Sequence, residues 1–267
     1  MSTPMPLPPD GLIPRLLAHE IAYTAQRADV IARRPGNPSG AKTRHFGSAF
    51  ACRVEGVPSP WLNRAMALSE PNAIPAIAAW FAESAITPRY EVTPDQAGPA
   101  LSRALAAAGA LPIDGDAIVW GTGVWSTGQS GPLPPGIVAV DTAPVMETFL
   151  DTHLAGLAIP EAVHAGAKCN MRGWLGQPGL TLLLAHDGSK PAGACVLFRT
   201  AGLTYIADMS THPTHRTRGI QTRLIAAVHN LNGEGGIVWA RCRFQSQSHR
   251  NLQRAGLRTL CTTSFWR

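Results

Sequence analysis

One segment, residues 204–228, limits the folds open to this chain more than any other. It starts as an apolar run of strand-forming residues at 205–209, turns at Pro213 through a loop with two arginines, and continues as a helix that opens at Gly219. The first amides of a helix have no partner within the helix, and they lie at the positive end of its dipole. Strand, basic loop and glycine-opened helix together therefore predict a site for an anion such as phosphate.

The spacing of this loop distinguishes it from two common phosphate loops. It lacks the G-x-x-x-x-G-K-[ST] pattern, and no Gly-x-Gly-x-x-Gly follows a strand. The order Arg216-Thr-Arg-Gly219-Ile-Gln221 instead resembles the Arg/Gln-x-x-Gly-x-Gly/Ala motif of GNAT-type N-acetyltransferases, which bind the pyrophosphate of acetyl-CoA. The resemblance extends over residues 210–225. Gln221 departs from the usual Gly or Ala, and we interpret it as a subgroup variant because its backbone amide still donates.

By position, the resemblance implies acetyl-CoA contacts from the end of the strand into the helix. The residues implied are Met209, Ser210, Thr211, Arg216, Thr217, Arg218, Gly219, Ile220, Gln221 and Thr222. A second segment, residues 246–257, resembles the Asn/Ser-rich helix that ends in Gly-Phe in the same superfamily, here Gly-Leu. It implies that Ser248 and Asn251 contact the pantetheine and adenosine parts of the cofactor. Alternatively, Ser248 only caps the helix and Asn251 faces water.

The order of elements in the second half supports the same resemblance. Hydrophobic periodicity and turn residues predict strand, two helices, three antiparallel strands, helix, strand, helix and strand over residues 137–267. That is the order of the GNAT core, an α/β (α+β) fold with a mixed, mainly antiparallel sheet. We therefore expect residues 137–267 to form a GNAT acyl-CoA-binding catalytic domain, preceded by a Gly/Pro-rich linker at 128–136.

Residues 1–136 are expected to form a separate lobe. Its predicted elements are helices at 14–34, 74–84 and 94–108, strands at 46–54 and 89–93, a strand or strand pair at 117–125, and a helical or irregular piece at 61–68. The lobe contains no Arg-x-x-Gly-x-Gly and resembles the degenerate N-terminal lobe of two-lobe GNAT proteins. An unrelated α/β lobe is the alternative. Its expected role is to form one wall of the acceptor pocket.

The run Trp120-Gly-Thr-Gly-Val-Trp125 lies near the end of this lobe, and its two glycines could be mistaken for those of a nucleotide-binding loop. No helix follows that would receive a phosphate. We therefore interpret it as a strand in which the glycines permit close backbone contacts.

Composition argues against several classes of protein. A hydrophobic fraction of 45% with 15% charged residues indicates a globular chain. Five scattered cysteines without a C-x-x-C pair predict neither a disulfide framework nor a zinc site, so we expect no metal and a cytoplasmic location. The N-terminus lacks the basic and apolar regions of a signal peptide, and no run of about 18 apolar residues predicts a membrane span.

The net charge of +6 is concentrated near the C-terminal end. From Arg199 onward there are ten arginines, no lysine and two acids, which suggests a polyanionic partner. The phosphates of coenzyme A and nucleic acid are both candidates. Several arginines flank the predicted anion site and no aromatic platform accompanies them, so nucleic acid is the less favoured partner. For any single arginine, a place on a solvated surface is the alternative.

Acyl transfer from a thioester to an amine would require three things of this segment. Free backbone groups at 209–211 would hold the pantetheine as an added strand, and an amide of that strand would bind the thioester oxygen. The amine must be neutral, and deprotonating an amine of pKa near 10.4 costs about 4–5 kcal/mol at pH 7. Asp208 is the predicted base or the anchor for a cationic acceptor, with an arginine ion pair as the alternative. His212 and His215 are predicted to shape the loop.

The group that protonates the departing thiolate is the weakest part of the resemblance. In the superfamily it is usually a Tyr on the final helix, four residues before the terminal Gly, and Leu252 stands there. Tyr205 is the candidate replacement, with Cys242, Ser246 or water as alternatives. The sequence thus predicts an N-acyltransferase that moves an acetyl or other short acyl group from acyl-CoA to an amine of a small molecule or peptide. The second hypothesis is a non-catalytic CoA-binding sensor or partner-binding protein. No membrane partner is expected.

Overall fold

A computed structural model of the chain describes residues 8–122, 131–200, 202–232 and 236–267. Its α-helices are α1 Leu12–Ala32, α2 Ile74–Ala82, α3 Pro99–Ala107, α4 Ala143–Gly156, α5 His164–Met171, α6 Ile220–Asn232 and α7 Gln247–Arg254. Its strands are β1 Ala41–Phe46, β2 Ala49–Val54, β3 Arg64–Met66, β4 Arg89–Val92, β5 Pro112–Thr122, β6 Ile137–Ala139, β7 Leu180–Asp187, β8 Lys190–Thr200, β9 Leu203–Thr211, β10 Ile237–Arg243 and β11 Arg258–Trp266. None of the helices in these ranges is long and apolar enough to cross a membrane.

These strands form one sheet in the order β1-β2-β3-β4-β11-β5-β10-β9-β8-β7-β6. Neighbouring strands run antiparallel except for the pairs β3–β4 and β9–β10. A parallel pair needs a crossover connection, and α2 and α6 supply it. The mixed, mainly antiparallel sheet predicted from the sequence is confirmed.

The two halves of the chain repeat one order of elements. Three sequential strands, a helix, a strand parallel to the third, a second helix and a last strand occur as β1 to β5 with α2 and α3, and again as β7 to β11 with α6 and α7. The last strands are exchanged, because β11 lies beside β4 and β5 lies beside β10. The lobes therefore share a continuous sheet. The boundary near Gly136 stays a prediction, and residues 123–130, with part of the linker and of the Trp-Gly-Thr-Gly-Val-Trp run, lie outside the described ranges.

The exchanged strands β5 and β11 meet at the centre of the sheet, where a glycine is required. A Cβ on Gly115 would lie 2.2 Å from the carbonyl oxygen of Thr263, which backbone atoms cannot accommodate. The β5–β11 register also shifts between Thr259 and Cys261. Such a bulge increases the local twist of a strand pair.

Helix α1 belongs to the first half of the chain but packs on both halves. Its Leu16 and Tyr23 lie in one core cluster with Phe149 of α4 and Trp239 of β10. Its Leu17, by contrast, packs in the cluster that covers β1 and β2. Because one helix buries apolar surface on both repeats, α1 brings side chains of the first half to the middle of the sheet.

Other apolar clusters fill the remaining faces of the sheet. Helices α6 and α7 cover the side of the second half opposite α4, with Leu224 and Leu252 buried there. Helices α2 and α3 cover the first half through residues such as Phe81 and Leu105.

Most predicted elements occur with shifted ends, and three expectations are wrong. The piece at 61–68 contains strand β3, whose three residues are buried between β2 and β4, so tertiary pairing decides its conformation. The strand expected at 46–54 is the second arm of a hairpin, since Gly47 with φ of 61° makes a turn before it. The helix expected from residue 94 begins at Pro99, a residue preorganised for a helix start.

Candidate functional site

Strands β9 and β10 pair with each other only over the first part of each strand. Their parallel pairing runs from Leu203–Ile237 to Ile206–Ala240, although both strands continue. On the other side of β9, Val196 pairs with Asp208 and Leu197 with Ile206, so Ala207 is an extra, bulged residue. A bulge bends its strand away from regular pairing. Residues 207–211 thus present to β10 an edge whose amides and carbonyls are open to a ligand.

The basic loop follows directly after this open edge. Helix α6 begins its hydrogen bonding with the Arg223 amide, which donates to the Gly219 carbonyl at 3.0 Å. The amides of residues 219–222 therefore precede the first helical bond. Gly219 has a φ of 73° and Thr217 a φ of 66°, so both occupy the left-handed region. For a β-branched residue such as Thr217 that conformation is strained, and strain of this kind concentrates at functional sites.

Asp187, at the end of β7, holds the basic loop in place. Its Oδ2 accepts a hydrogen bond from Arg218 Nη1 at 2.9 Å and lies 3.0 Å from His215 Nδ1. The contacts with His215 and then Arg218 lower the pKa of Asp187 below its usual value. His215 is buried and shapes the loop, as predicted, whereas Arg216 and Arg218 are exposed to solvent.

Gln221 joins the start of α6 to α7. Its Nε2 donates to Ser248 Oγ at 2.9 Å, and its Oε1 accepts from Asn251 Nδ2 at 2.6 Å. The hydroxyl that caps α7 is that of Ser246, which accepts from the His249 amide at 3.1 Å. The alternative that Ser248 caps the helix is therefore wrong, and the half-buried side chain of Asn251 is bonded to Gln221. Ser248 and Asn251 lie where the open edge of β9 meets the start of α6.

A cavity of about 550 Å³ lies in front of the separated strands. It brings together Tyr205, Asp208, Met209, Gln221 and Ser248 from the predicted site. The other predicted residues lie outside its lining: Ser210, Thr211, Arg216, Thr217, Arg218, Gly219, Ile220, Thr222 and Asn251. Asn251 lies on α7, and the other residues lie at the end of β9, in the loop and at the start of α6.

Two of the predicted cofactor residues turn their side chains away from any ligand. Ile220 is 1% exposed and belongs to the core beneath α6. Ser210 is buried, and its Oγ lies 3.1 Å from Nδ1 of His153 on α4. The backbone of α4 also comes close here, because a Cβ on Gly156 would lie 2.7 Å from Ser210 Cβ. Ser210 and Ile220 could therefore contact a cofactor only through their backbone groups.

The first half of the chain contributes two side chains to the cavity beside Asp208. Tyr23 Oη donates to Asp208 Oδ2 at 3.2 Å, and burial raises the pKa of that phenol. Arg27, one helical turn later, lies over the Tyr23 ring at 5.2 Å and over the Trp174 ring at 5.1 Å. Sequence reasoning missed both residues, and their i, i+4 spacing on a helix face is the one signal that could have suggested them.

Tyr205 lines the cavity and packs against other aromatic residues. Its ring stacks on Trp239 with centroids 3.9 Å apart, and it meets the edge of Tyr23 at 5.6 Å. Burial raises the pKa of Tyr205 well above that of a free phenol. The hydroxyl therefore stays protonated across the physiological pH range and can donate a hydrogen bond.

A buried cluster of charges lies behind the cavity and joins both halves of the chain. Glu91 on β4 accepts from Arg64 Nη1 at 3.0 Å, from Arg241 Nη1 at 2.5 Å and from Arg89. Glu20 on α1 accepts from Arg64 at 2.8 Å and from Arg241 at 2.9 Å. Burial favours a neutral Glu91, but Arg241, Arg64 and Arg89 outweigh it and lower the pKa of this carboxyl. The cluster holds three cations and two anions, so it leaves one positive charge in excess.

Within the described part of the chain, no group of three or more His, Cys, Asp or Glu side chains is placed to hold a metal ion. The polar side chains that line the cavity include carboxylates, phenols, guanidinium groups, the thiol of Cys242 and the hydroxyls of Ser246 and Ser248.

No protein-family model matches the sequence, and a search of curated proteins by sequence finds no match. Solved structures are similar in fold. A conserved protein of unknown function from Staphylococcus epidermidis has a TM-score of 0.64 at 11% identity, over 85% of this chain and 94% of that one. A GCN5-related N-acetyltransferase from Kribbella flavida has a TM-score of 0.57 at 15% identity, over 92% and 94%.

A third similar structure is a tandem GNAT protein from the clavulanic acid biosynthesis pathway. Its TM-score is 0.52 at 14% identity, over 91% of this chain and 93% of that one. At such identities the likeness shows the fold, and it extends over both halves of the chain. The chain has the GNAT fold, and its two repeats suit the tandem form.

Proposed function

We propose that this chain, which has the GNAT fold, is an N-acyltransferase that moves an acetyl or other short acyl group from acyl-CoA to an amine of a small molecule or peptide. The observation that carries the proposal is the separation of β9 from β10 directly before the basic loop. An open strand edge then leads from a cavity with a carboxylate to a helix N-terminus flanked by arginines. A thioester on a long polar arm that ends in phosphates would fit those features in that order.

The cofactor roles follow from this geometry. The pyrophosphate would bind the amides of residues 219–222, where the helix dipole favours negative charge, with Arg216 and Arg218 adding charge-assisted hydrogen bonds. The pantetheine arm would add to the edge of β9 at residues 207–211 as an extra strand. Ser248 and Asn251, held by Gln221, would contact the arm and the adenosine from the side of α7.

The acyl transfer itself would take place in the cavity. The amine nitrogen attacks the thioester carbonyl carbon, the new N–C bond forms, and the C–S bond breaks to release the thiolate of coenzyme A. An amide of β9 donates to the carbonyl oxygen as charge develops on it. Asp208 accepts the amine proton directly or through a water molecule, and Tyr23 holds the carboxylate by the hydrogen bond to Oδ2.

Protonation of the leaving thiolate is the step at which this chain departs most from the superfamily pattern. Leu252 is buried at the position of the usual tyrosine. Tyr205 is the proposed replacement, acting as a hydrogen-bond donor to the developing thiolate. Because its raised pKa makes full proton transfer unfavourable, the proton would reach the thiolate from water after transfer. The alternatives Cys242 and Ser246 also line the cavity, and burial raises the pKa of Cys242 to about 12.

Leu252 also favours a second candidate function, a non-catalytic protein that binds acyl-CoA as a sensor. That function needs the cofactor groove but no acid and no base. We place either function in the cytoplasm, because all five cysteines are free thiols and three of them are buried.

Release of free thiol from acetyl-CoA with a panel of amines separates the two functions. We expect release with at least one amine, and we expect Asp208→Asn to lower kcat by a factor of about 10²–10⁴ without changing acetyl-CoA affinity. The matched control is Asp114→Asn, because Asp114 lines the same cavity but pairs with Arg243 at 3.3 Å. Acetyl-CoA binding without thiol release from any amine would favour the sensor.

A further inference from the structure

The cavity carries more positive than negative charge. Its lining contains six arginines, namely Arg27, Arg64, Arg89, Arg241, Arg243 and Arg267, and three carboxylates, namely Asp114, Asp116 and Asp208. Three of the arginines share Glu20 and Glu91 behind the cavity. Such a lining disfavours an acceptor that carries several positive charges, because like charges brought together in a partly buried site repel.

Arg27 is half-buried and differs from the buried arginines of the lining in its partners. In the ranges that the structure describes, its guanidinium has no ion pair and no hydrogen bond, whereas Arg64, Arg89 and Arg241 are paired with Glu20 or Glu91. The rings of Tyr23 and Trp174 contact it by their faces, so they hold its plane without using its N–H groups. A guanidinium fixed in this way presents a fork of donors that matches a carboxylate. Because Arg27 lines the cavity without an anionic partner, a ligand with a carboxylate would supply the missing acceptor.

Asp208 and Arg27 are linked by one side chain. The hydroxyl of Tyr23 donates to Asp208, and the ring of the same Tyr23 lies against Arg27. The two opposite charges thus lie at neighbouring positions, yet they form no ion pair with each other within 4.0 Å among the described residues. A small molecule with a positive and a negative group close together would pair its positive group with Asp208 and its negative group with Arg27.

We propose that the acceptor is a zwitterionic amine, an amine that carries a carboxylate a few bonds from its nitrogen, with the carboxylate bound by Arg27 and the nitrogen placed at Asp208. This inference rests on the proposed acyltransferase function and names its substrate class. Acyl transfer removes the charge of the amine, because the ammonium group loses two protons as it becomes an amide, one before the attack and one to Asp208 during the transfer. The product keeps only its negative charge, so its attraction to Asp208 becomes repulsion, which promotes release.

The test compares α-amino acids with their carboxamides, which have the same side chains and amines but no carboxylate. Glycine, alanine and phenylalanine, each beside its amide, are assayed by thiol release from acetyl-CoA. We expect kcat/KM to be at least about 10-fold higher for the acids. We expect Arg27→Gln to lower kcat/KM by about 10- to 100-fold for the acids and to leave the amides unchanged, since a charge-assisted hydrogen bond contributes about 1.5–3 kcal/mol.

The matched control is Arg243→Gln, which removes an arginine of the same cavity that already has Asp114 as partner. This variant should keep the preference for acids. Binding of the same amino acids to the protein is measured separately by calorimetry, with and without Arg27→Gln, so that the anion site is tested without turnover. Thermal melts establish that both variants are folded.

The outcomes separate the two claims. Equal turnover of acids and amides by the unaltered protein overturns the zwitterionic acceptor and leaves the acyltransferase function in place. Binding of amino acids that depends on Arg27, without thiol release from any amine, supports the anion site and overturns the transferase function. If the protein neither binds nor acylates any of the amino acids, the inference is overturned.

Discussion

Replacing Glu91 by glutamine tests whether the buried charge cluster joins the two halves of the sheet. Glu91 lies on β4, whereas Arg241, one of its partners, lies on β10 of the second repeat. Its Oε1 accepts from Arg64 and Arg89, and its Oε2 accepts from Arg241. A glutamine keeps the shape and one acceptor, but its NH2 group faces a guanidinium donor. The variant therefore loses a charge and sets donor against donor in a buried site.

The expected loss of stability is large. Removing one partner of a buried ion pair costs about 3–5 kcal/mol, because the remaining charges stay buried without compensation. Here the excess of the cluster rises from one positive charge to two. Since whole domains are stable by about 5–15 kcal/mol, Glu91→Gln should remove a substantial part of the total. At a slope of about 2–3 kcal/mol per molar urea, the unfolding midpoint falls by about 1–2.5 M.

Urea unfolding followed by tryptophan fluorescence measures this loss. The control is Asp29→Asn, the same change of carboxylate to amide at an exposed ion pair with Arg33 on α1. Exposed pairs contribute little, so the control should keep a midpoint close to that of the unaltered protein. If Glu91→Gln shifts the midpoint no more than Asp29→Asn does, the cluster does not stabilise the fold.

Two further predictions concern stability and close packing. Burial lowers the pKa of His19 in the folded protein to about 4, below the value of about 6.5 in the unfolded chain. The neutral imidazole therefore contributes fully to the free energy of unfolding above pH 6.5, and this contribution is lost as the pH falls toward 4. We expect the unaltered protein to lose up to about 3 kcal/mol more between pH 7 and pH 4 than His19→Asn, and equal losses would contradict this. Gly156→Ala places a Cβ 2.7 Å from Ser210 Cβ and 3.1 Å from the Thr211 amide, so it should cost about 1–3 kcal/mol and weaken acetyl-CoA binding. Its control, Gly166→Ala, meets nothing within 4 Å on helix α5 and should be neutral or stabilising, and a loss equal to that of Gly156→Ala would show that close packing is not the cause.

The second half of the fold could be predicted from the sequence because its signals are local. Apolar periodicity, turn glycines and the loop from Arg216 to Gln221 each act over a few residues, and the order of elements they predict is confirmed. Strand β3 could not be predicted, because three residues carry no periodicity and Arg64 is buried only through partners far along the chain. The exchange of β5 and β11 was likewise missed, since a strand's own pattern does not name its neighbour.

The residues of the candidate site could likewise be predicted only where they lie close together in the sequence. The strand edge and the helix start lie in one segment, so residues such as Asp208 and Gly219 could be named from the sequence. Tyr23 and Arg27 are more than 180 residues away from Asp208, and only the packing of α1 across both repeats brings them to the cavity. The bonds of Gln221 to Ser248 and Asn251 also depend on the packing of α6 beside α7. Side chains that act across helices are set by tertiary structure.

Two variants at one position, compared by their affinity for acetyl-CoA, test whether the start of α6 binds the cofactor. Gln221→Ala and Gln221→Pro both remove the side chain that joins α6 to α7, but only proline also removes the backbone amide. Proline is tolerated in the first turn of a helix, where that amide has no partner within the helix. Calorimetric titration should show a small loss of affinity for Gln221→Ala, because Ser248 and Asn251 lose the bonds that position them. Gln221→Pro should bind at least about 10-fold more weakly than Gln221→Ala, the loss expected for a hydrogen bond to phosphate. If both variants are folded and bind acetyl-CoA equally well, the start of α6 is not the cofactor site.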